Sequence, residues 1–131
     1  MLCLPACTGE AKGVSRGIFV SRQPSEQVFE ATQTALRLVG FSVGNPQQAG
    51  ESMTVTGQKF AMATWSGPAP VYINVIVTPL PQGAKISVEV IPPSTAYGSS
   101  ALPFHDYQYA MSLVLPDLKV QSVQLPRRLL G

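Results

Sequence analysis

The stretch Pro24–Val43, PSEQVFEATQTALRLVGFSV, limits most strongly what this chain can fold into. Val28, Phe29, Thr32, Ala35, Leu36 and Val39 recur at the spacing of one face of a 3.6-residue helix. Glu26, Gln27, Glu30, Gln33, Thr34 and Arg37 take the other side, and Ala31 and Leu38 fall off the stripe. Pro24 suits the first helical position, where a missing N–H costs nothing. Glu26 in the first turn and Arg37 in the last each match the helix dipole. Gly40 is placed to end the helix in a left-handed C′ conformation. Phe41 and Val43 then open a strand, with Ser42 facing the other way. A helix with one apolar stripe needs a second layer to cover it.

The rest of the sequence supplies a sheet. Val14–Ser21 reads as a first strand, with Gly17 marking an edge or a bulge. Gly44–Gly50 is a turn cluster. Glu51–Phe60 alternates, Met53 and Val55 on one face against Ser52, Thr54 and Thr56 on the other. Ala61–Ser66 continues it after a bend at Gly57, and Gly67–Pro70 breaks the chain. In Val71–Thr78 the residues Val71, Ile73, Val75 and Val77 point one way, and Tyr72, Asn74, Ile76 and Thr78 the other. After the turn Pro79–Gly83, Lys85–Ile91 sends Ile86, Val88 and Val90 inward, giving an antiparallel hairpin with one wet face. Pro92–Ser100 is a loop. Phe104–Leu115, following Pro103 and closed by Pro116, repeats Phe104, Tyr107, Met111, Val114 and Leu115 at helical spacing. The expected class is α+β, with an antiparallel sheet of four to six strands packed on a long N-terminal helix and a shorter C-terminal one, in the order β-α-β-β-β-β-α. The domain is expected over 14–117, preceded by a tether over 1–13 and followed by a tail over 118–131 that is either an added strand or a loose end.

Composition supports one self-sufficient domain. The chain has 131 residues, 45% hydrophobic and 12% charged, so disorder through charge is excluded. A net charge of +2, with no basic cluster beyond Arg127–Arg128, gives no footprint for nucleic acid. Pro (12) and Gly (11) are plentiful, as in strand-rich folds with many turns. No segment reaches the roughly 18 apolar residues of a membrane-spanning helix.

The two cysteines, Cys3 and Cys7, stand in the N-terminal MLCLPACTGE. Leu4-Pro5-Ala6-Cys7 resembles a bacterial lipobox, in which the cysteine is acylated and becomes the mature N-terminus. The resemblance implies lipidation at Cys7, a flexible tether from Thr8 to Gly13, and attachment to a membrane in the bacterial envelope. Thr8 after the cysteine resembles the outer-membrane sorting pattern, with the domain on the periplasmic side. Only six residues precede Cys7, fewer than the apolar run of a signal peptide, so this reading expects more leader upstream of Met1. The plainer alternative is a short apolar terminus in which Cys7 has no role.

The helix ending in Gly-Phe, then ESMTVTGQKF, then VYINVIVTPLPQGAKISVEV, is similar to small bacterial envelope lipoproteins with a BamC-like, helix-grip domain. The similarity spans about Gly17–Leu115. It implies a fold and carries no chemistry of its own.

Catalytic chemistry is hard to assemble from this sequence. His105 is the one histidine, and its pairing with Asp106 lacks a nearby nucleophile in a recognisable elbow. The plainer reading is an exposed pair at the start of the second helix. Glu10, Glu26, Glu30, Glu51, Glu89, Asp106 and Asp117 show no metal-ligand spacing, and no glycine motif of the phosphate-binding kind occurs. No cofactor or metal is expected. The aromatic group Tyr97, Tyr107 and Tyr109, with Phe104 and Trp65, is either core and rim or one wall of a groove. Tyr72 and Ile76, on the outer face of the strongest strand, are the best candidates for a partner surface. The sequence therefore points to a non-enzymatic, membrane-anchored interaction module with an envelope protein as partner. A small-ligand carrier, with its cavity between sheet and helix, is the alternative.

Overall fold

The structure, a computed structural model, describes residues 13–64, 67–93 and 100–126. The elements are β1 (Ser15–Ser21), α1 (Ser25–Leu38), β2 (Ser42–Val43), β3 (Gln47–Ala49), β4 (Ser52–Thr64), β5 (Gly67–Leu80), β6 (Gly83–Ile91), α2 (Ala101–Val114) and β7 (Lys119–Gln124). They form an α+β fold with a seven-stranded sheet in the order β2-β4-β5-β6-β1-β7, β3 also pairing with β4. Every strand pair is antiparallel.

α1 forms where the periodicity places it. Pro24 stands one position earlier than expected, as the N-cap, and its carbonyl accepts the first helical bond from Val28 N–H at 2.9 Å. At the other end Gly40 adopts φ +91°. Phe41 N–H reaches back to Leu36 O at 2.9 Å and Gly40 N–H to Arg37 O at 3.0 Å, which is the Schellman pattern that satisfies the last carbonyls. Val28, Phe29, Thr32, Ala35 and Leu36 are buried. Each large apolar side chain among them contributes about 1.5–3 kcal/mol by leaving water. Thr32 is tolerated on this stripe because its Oγ1 donates to Phe29 O at 2.7 Å.

The helices share one face of the sheet. α1 packs on β4, β5 and β6, α2 on β6 and β1, and the two helices pack on each other. The inward residues of β5 and β6 (Val71, Ile73, Val75, Val77, Ala84, Ile86, Val88 and Val90), with Phe19 of β1, form the floor of the core, and Leu36, Phe104, Tyr107 and Met111 lie above. Tyr107 donates its hydroxyl to the carbonyl of Thr32 at 3.0 Å, tying α2 to α1. β1 carries a buried serine at each end. Ser15 Oγ lies 2.7 Å from Ser100 Oγ, and Ser100 donates to Gly13 O. Ser21 donates to Asp117 Oδ1 at 2.9 Å.

Several expectations are corrected. The second helix is not shorter, since both helices have 14 residues. It starts at Ala101 because Pro103 falls at the third helical position, where the backbone N–H would lack a helical partner anyway. Gly67–Pro70 does not break the sheet, and Gly57 does not divide β4. Pro68 and Pro70 pair with β4 on a part of β5 that lies beyond its pairing with β6, where proline is tolerated. Gly17 is not on an edge strand, because β1 lies between β6 and β7 and its irregularity falls at Ile18/Phe19. Of the two fates left open for the tail, the added strand is observed: Lys119–Gln124 pairs with β1. This strand, with the short β2 and β3, brings the sheet to seven strands rather than four to six.

Candidate functional site

With both helices on one side, the other face of the sheet has no partner layer among the described residues. It is built by strand alternation, and the register aligns its side chains in rows. Arg16 stands opposite Glu89, Glu89 opposite Asn74, and Asn74 opposite Thr56, across β1, β6, β5 and β4. Their side chains connect. Arg16 Nε and Nη2 donate to Glu89 Oε2 at 3.2 and 2.9 Å, Asn74 Nδ2 to Glu89 Oε1 at 3.4 Å, and Thr56 Oγ1 to Asn74 Oδ1 at 3.0 Å. The next row holds Ile18, Ser87, Ile76 and Thr54. A groove of about 410 Å³ lies over these two rows, lined by Arg16, Ile18, Asn74, Ile76, Ser87 and Glu89, with Ser122 and Gln124 from β7 at its rim.

Tyr72 and Ile76 both face this side, 40% and 38% exposed, with Asn74 between them on the same strand. The face is thus apolar at Ile18, Tyr72 and Ile76 and polar along one fixed row, the mixture that interfaces use. The Arg16–Glu89 pair is partly exposed, so it contributes little to stability and instead holds the row in a defined geometry.

The other candidates disperse. Tyr107 is fully buried and belongs to the core, so it contributes nothing to a surface. Tyr109 is 67% exposed on α2, in the helix layer and away from Tyr72 and Ile76. Cys7, Trp65 and Tyr97 lie outside the described residues. His105 and Asp106 are exposed on α2, and the ring of His105 sits edge-on to Phe104 at 6.0 Å between centroids. Among the described residues no group of three His, Cys, Asp or Glu side chains converges, and no helix is long and apolar enough to cross a membrane.

A second hollow, about 560 Å³, lies at the end of β1 between Val20, Leu80, Pro81, Asp117 and Lys119. Its carboxylate is already engaged. Arg22 N–H donates to Asp117 Oδ2 at 2.8 Å and Ser21 to Oδ1. The Arg22 N–H holds the Asp117 carboxyl below the usual carboxylate range, partial burial opposes this, and the Ser21 hydroxyl reinforces it. Asp117 therefore works as a clamp on the chain leaving β1. Sequence reading missed both this clamp and the Arg16–Glu89–Asn74–Thr56 row. Alternation places Glu89 and Asn74 outward, but only the register shows which residues face each other.

No family model matches the chain, and no curated protein matches it either.

Proposed function

We propose that this chain is a non-enzymatic interaction module of the bacterial envelope, a BamC-like helix-grip domain held at the outer membrane through acylated Cys7. Its docking surface is the open face of the sheet. The observation that carries the reading is the one-sided layering: two helices complete one face, and the other presents Tyr72, Ile76 and Ile18 beside an ordered polar row. A partner strand, helix or loop laid across β5, β6 and β1 would cover the apolar residues and meet Asn74 and Glu89 as fixed polar contacts. The carrier alternative has less support. The space it needs, between α1 and the sheet, is filled by Val28, Phe29 and Leu36 packed against the inward residues of β5 and β6.

The test is in-cell photo-crosslinking from Tyr72 and from Ile76, with Leu113 on α2 as the control position. A discrete adduct with one envelope protein from both sheet positions, that from Tyr72 lost in Ile76→Lys, and none from the control, is the expected result. Absence of adducts from both sheet positions would remove the docking reading. Separately, mass spectrometry of the native protein with Cys7 unmodified would remove the anchor.

A further inference from the structure

We propose that the β7 edge is a self-recognition site, where two copies of this chain join strand to strand into one continuous antiparallel sheet. The pairing of β7 with β1 is irregular. Val123 stands opposite Gly17 and Val120 opposite Phe19, positions of β1 that face the helices. Lys119, Ser122 and Gln124 stand opposite Val20, Ile18 and Arg16, which face the open side. Residues three apart on a regular strand face opposite sides. The register shift at Ile18/Phe19 absorbs Gln121 and so places both valines on the helix side. The helix layer does not extend over them: α2 packs on β1 and β6, and Val120 and Val123 remain 54% and 37% exposed. Leu125 extends the exposed apolar ledge.

This ledge lies along a backbone edge with no strand partner among the described residues. The opposite edge differs. There β4 is flanked by β2 and β3, of two and three residues, separated at Gly44–Pro46. Edge strands as short as these resist further pairing. β7 presents six consecutive residues, KVQSVQ, with one charge.

The sequence of that strand complements itself. Run antiparallel against a second β7, it aligns Lys119 with Gln124, Val120 with Val123, and Gln121 with Ser122 of the partner. The bulge makes this register consistent in facing, since both valines lie on the helix side. A twofold axis repeats the valine pair, and the two lysines oppose neutral amides rather than each other. A second copy is therefore the occupant that the edge itself specifies. Such a joint would bury on the order of 500 Å² per protomer, about the lower bound for a specific interface. An interface of that size makes a weak, transient dimer.

Sedimentation velocity on the full chain, with Cys3 and Cys7 kept reduced, tests this across a micromolar concentration series. The wild type should rise from 14.0 kDa toward twice that mass. Val120→Glu and Val123→Lys should each weaken association at least tenfold. The double variant V120E/V123K should restore it, because each new carboxylate then faces the partner's new ammonium. Far-ultraviolet circular dichroism of each single variant, unchanged from the wild type, shows that it still folds. A wild type that stays monomeric throughout would overturn the proposal. So would a dimer that Val120→Glu leaves intact; loss on Ile76→Lys instead would move the contact to the open sheet face.

Discussion

Replacing Tyr107 with phenylalanine separates hydrogen bonding from packing in the core of this domain. The ring keeps its volume, so no cavity opens. The hydroxyl donates to Thr32 O at 3.0 Å, and that carbonyl, four residues before Leu36 within α1, is also placed for the helical N–H of Leu36. The acceptor is not stranded when the hydroxyl goes. Tyr107→Phe should therefore cost only the net value of one hydrogen bond, about 1 kcal/mol near neutral pH. Alkaline pH adds an independent signature. Burial pushes the Tyr107 pKa upward, against a smaller opposing effect from Thr32. In the unfolded chain tyrosine titrates near pH 10. Above that pH the unfolded state releases its proton while the folded state keeps it, so stability falls as pH rises, by about 1.4 kcal/mol per pH unit. The phenylalanine variant lacks this loss. The two stability curves should thus converge above about pH 10 and cross before about pH 11. Urea titrations followed by far-ultraviolet circular dichroism, at about pH 7 and at steps from about pH 9 to 11, measure both effects. Curves that stay parallel would refute a buried, protonated hydroxyl. A neutral-pH loss above about 3 kcal/mol would refute the claim that Thr32 O retains a partner.

Other perturbations test the remaining structural arguments. Gly83 has φ +141° beside the two-residue turn Pro81–Gln82, and an added Cβ would lie 2.0 Å from Ser21 O, so Gly83→Ala should destabilise by about 3 kcal/mol or prevent folding, read by thermal unfolding. Asp117→Asn should flatten the acid limb of stability: the lowered carboxyl pKa stabilises the fold above its ordinary value near 4 and is lost as pH falls through the lowered one, so urea midpoints of variant and wild type should converge in acid. Arg16→Ala should cost less than about 1 kcal/mol, with little salt dependence in the remainder, because its pair with Glu89 is partly exposed.

The parts of this fold legible in the sequence are those carried by local periodicity. The buried stripe of α1, its glycine end and the inward faces of β5 and β6 follow from spacing alone, because burial selects apolar residues at the period of the element. What the sequence hid depends on pairing over long separations. The role of β7 is an example: its six residues are all exposed, and its two helix-side valines stand three apart across a bulge, so KVQSVQ carries no strict period of two. The prolines of β5 misled for a related reason. A proline signals a break only where both neighbours need its N–H, and which strand lacks a second neighbour is a property of sheet order. Tyr107 and Tyr109 are two residues apart on one helix, and the periodicity that puts Tyr107 on the stripe with Phe104 and Met111 separates the buried ring from the exposed one. At the site, alternation brought out Tyr72 and Ile76, whereas the Arg16–Glu89–Asn74–Thr56 row exists only in register.

The position of β1 has a further consequence, for the order in which this protein can acquire its shape. The first strand in sequence is inserted between two of the last, with Ser15 against Val90 and Arg16 against Gln124. The hairpins of β4, β5 and β6 need only near neighbours, but β1 has no partner until β6 is made and lacks its second until β7 follows. High average separation of contacts slows folding. Early in synthesis the N-terminal strand stays single and extended, and the chain remains in a form that can still be threaded or carried. Closure comes with the return of β7, which completes the sheet around a strand that was made first and secured last.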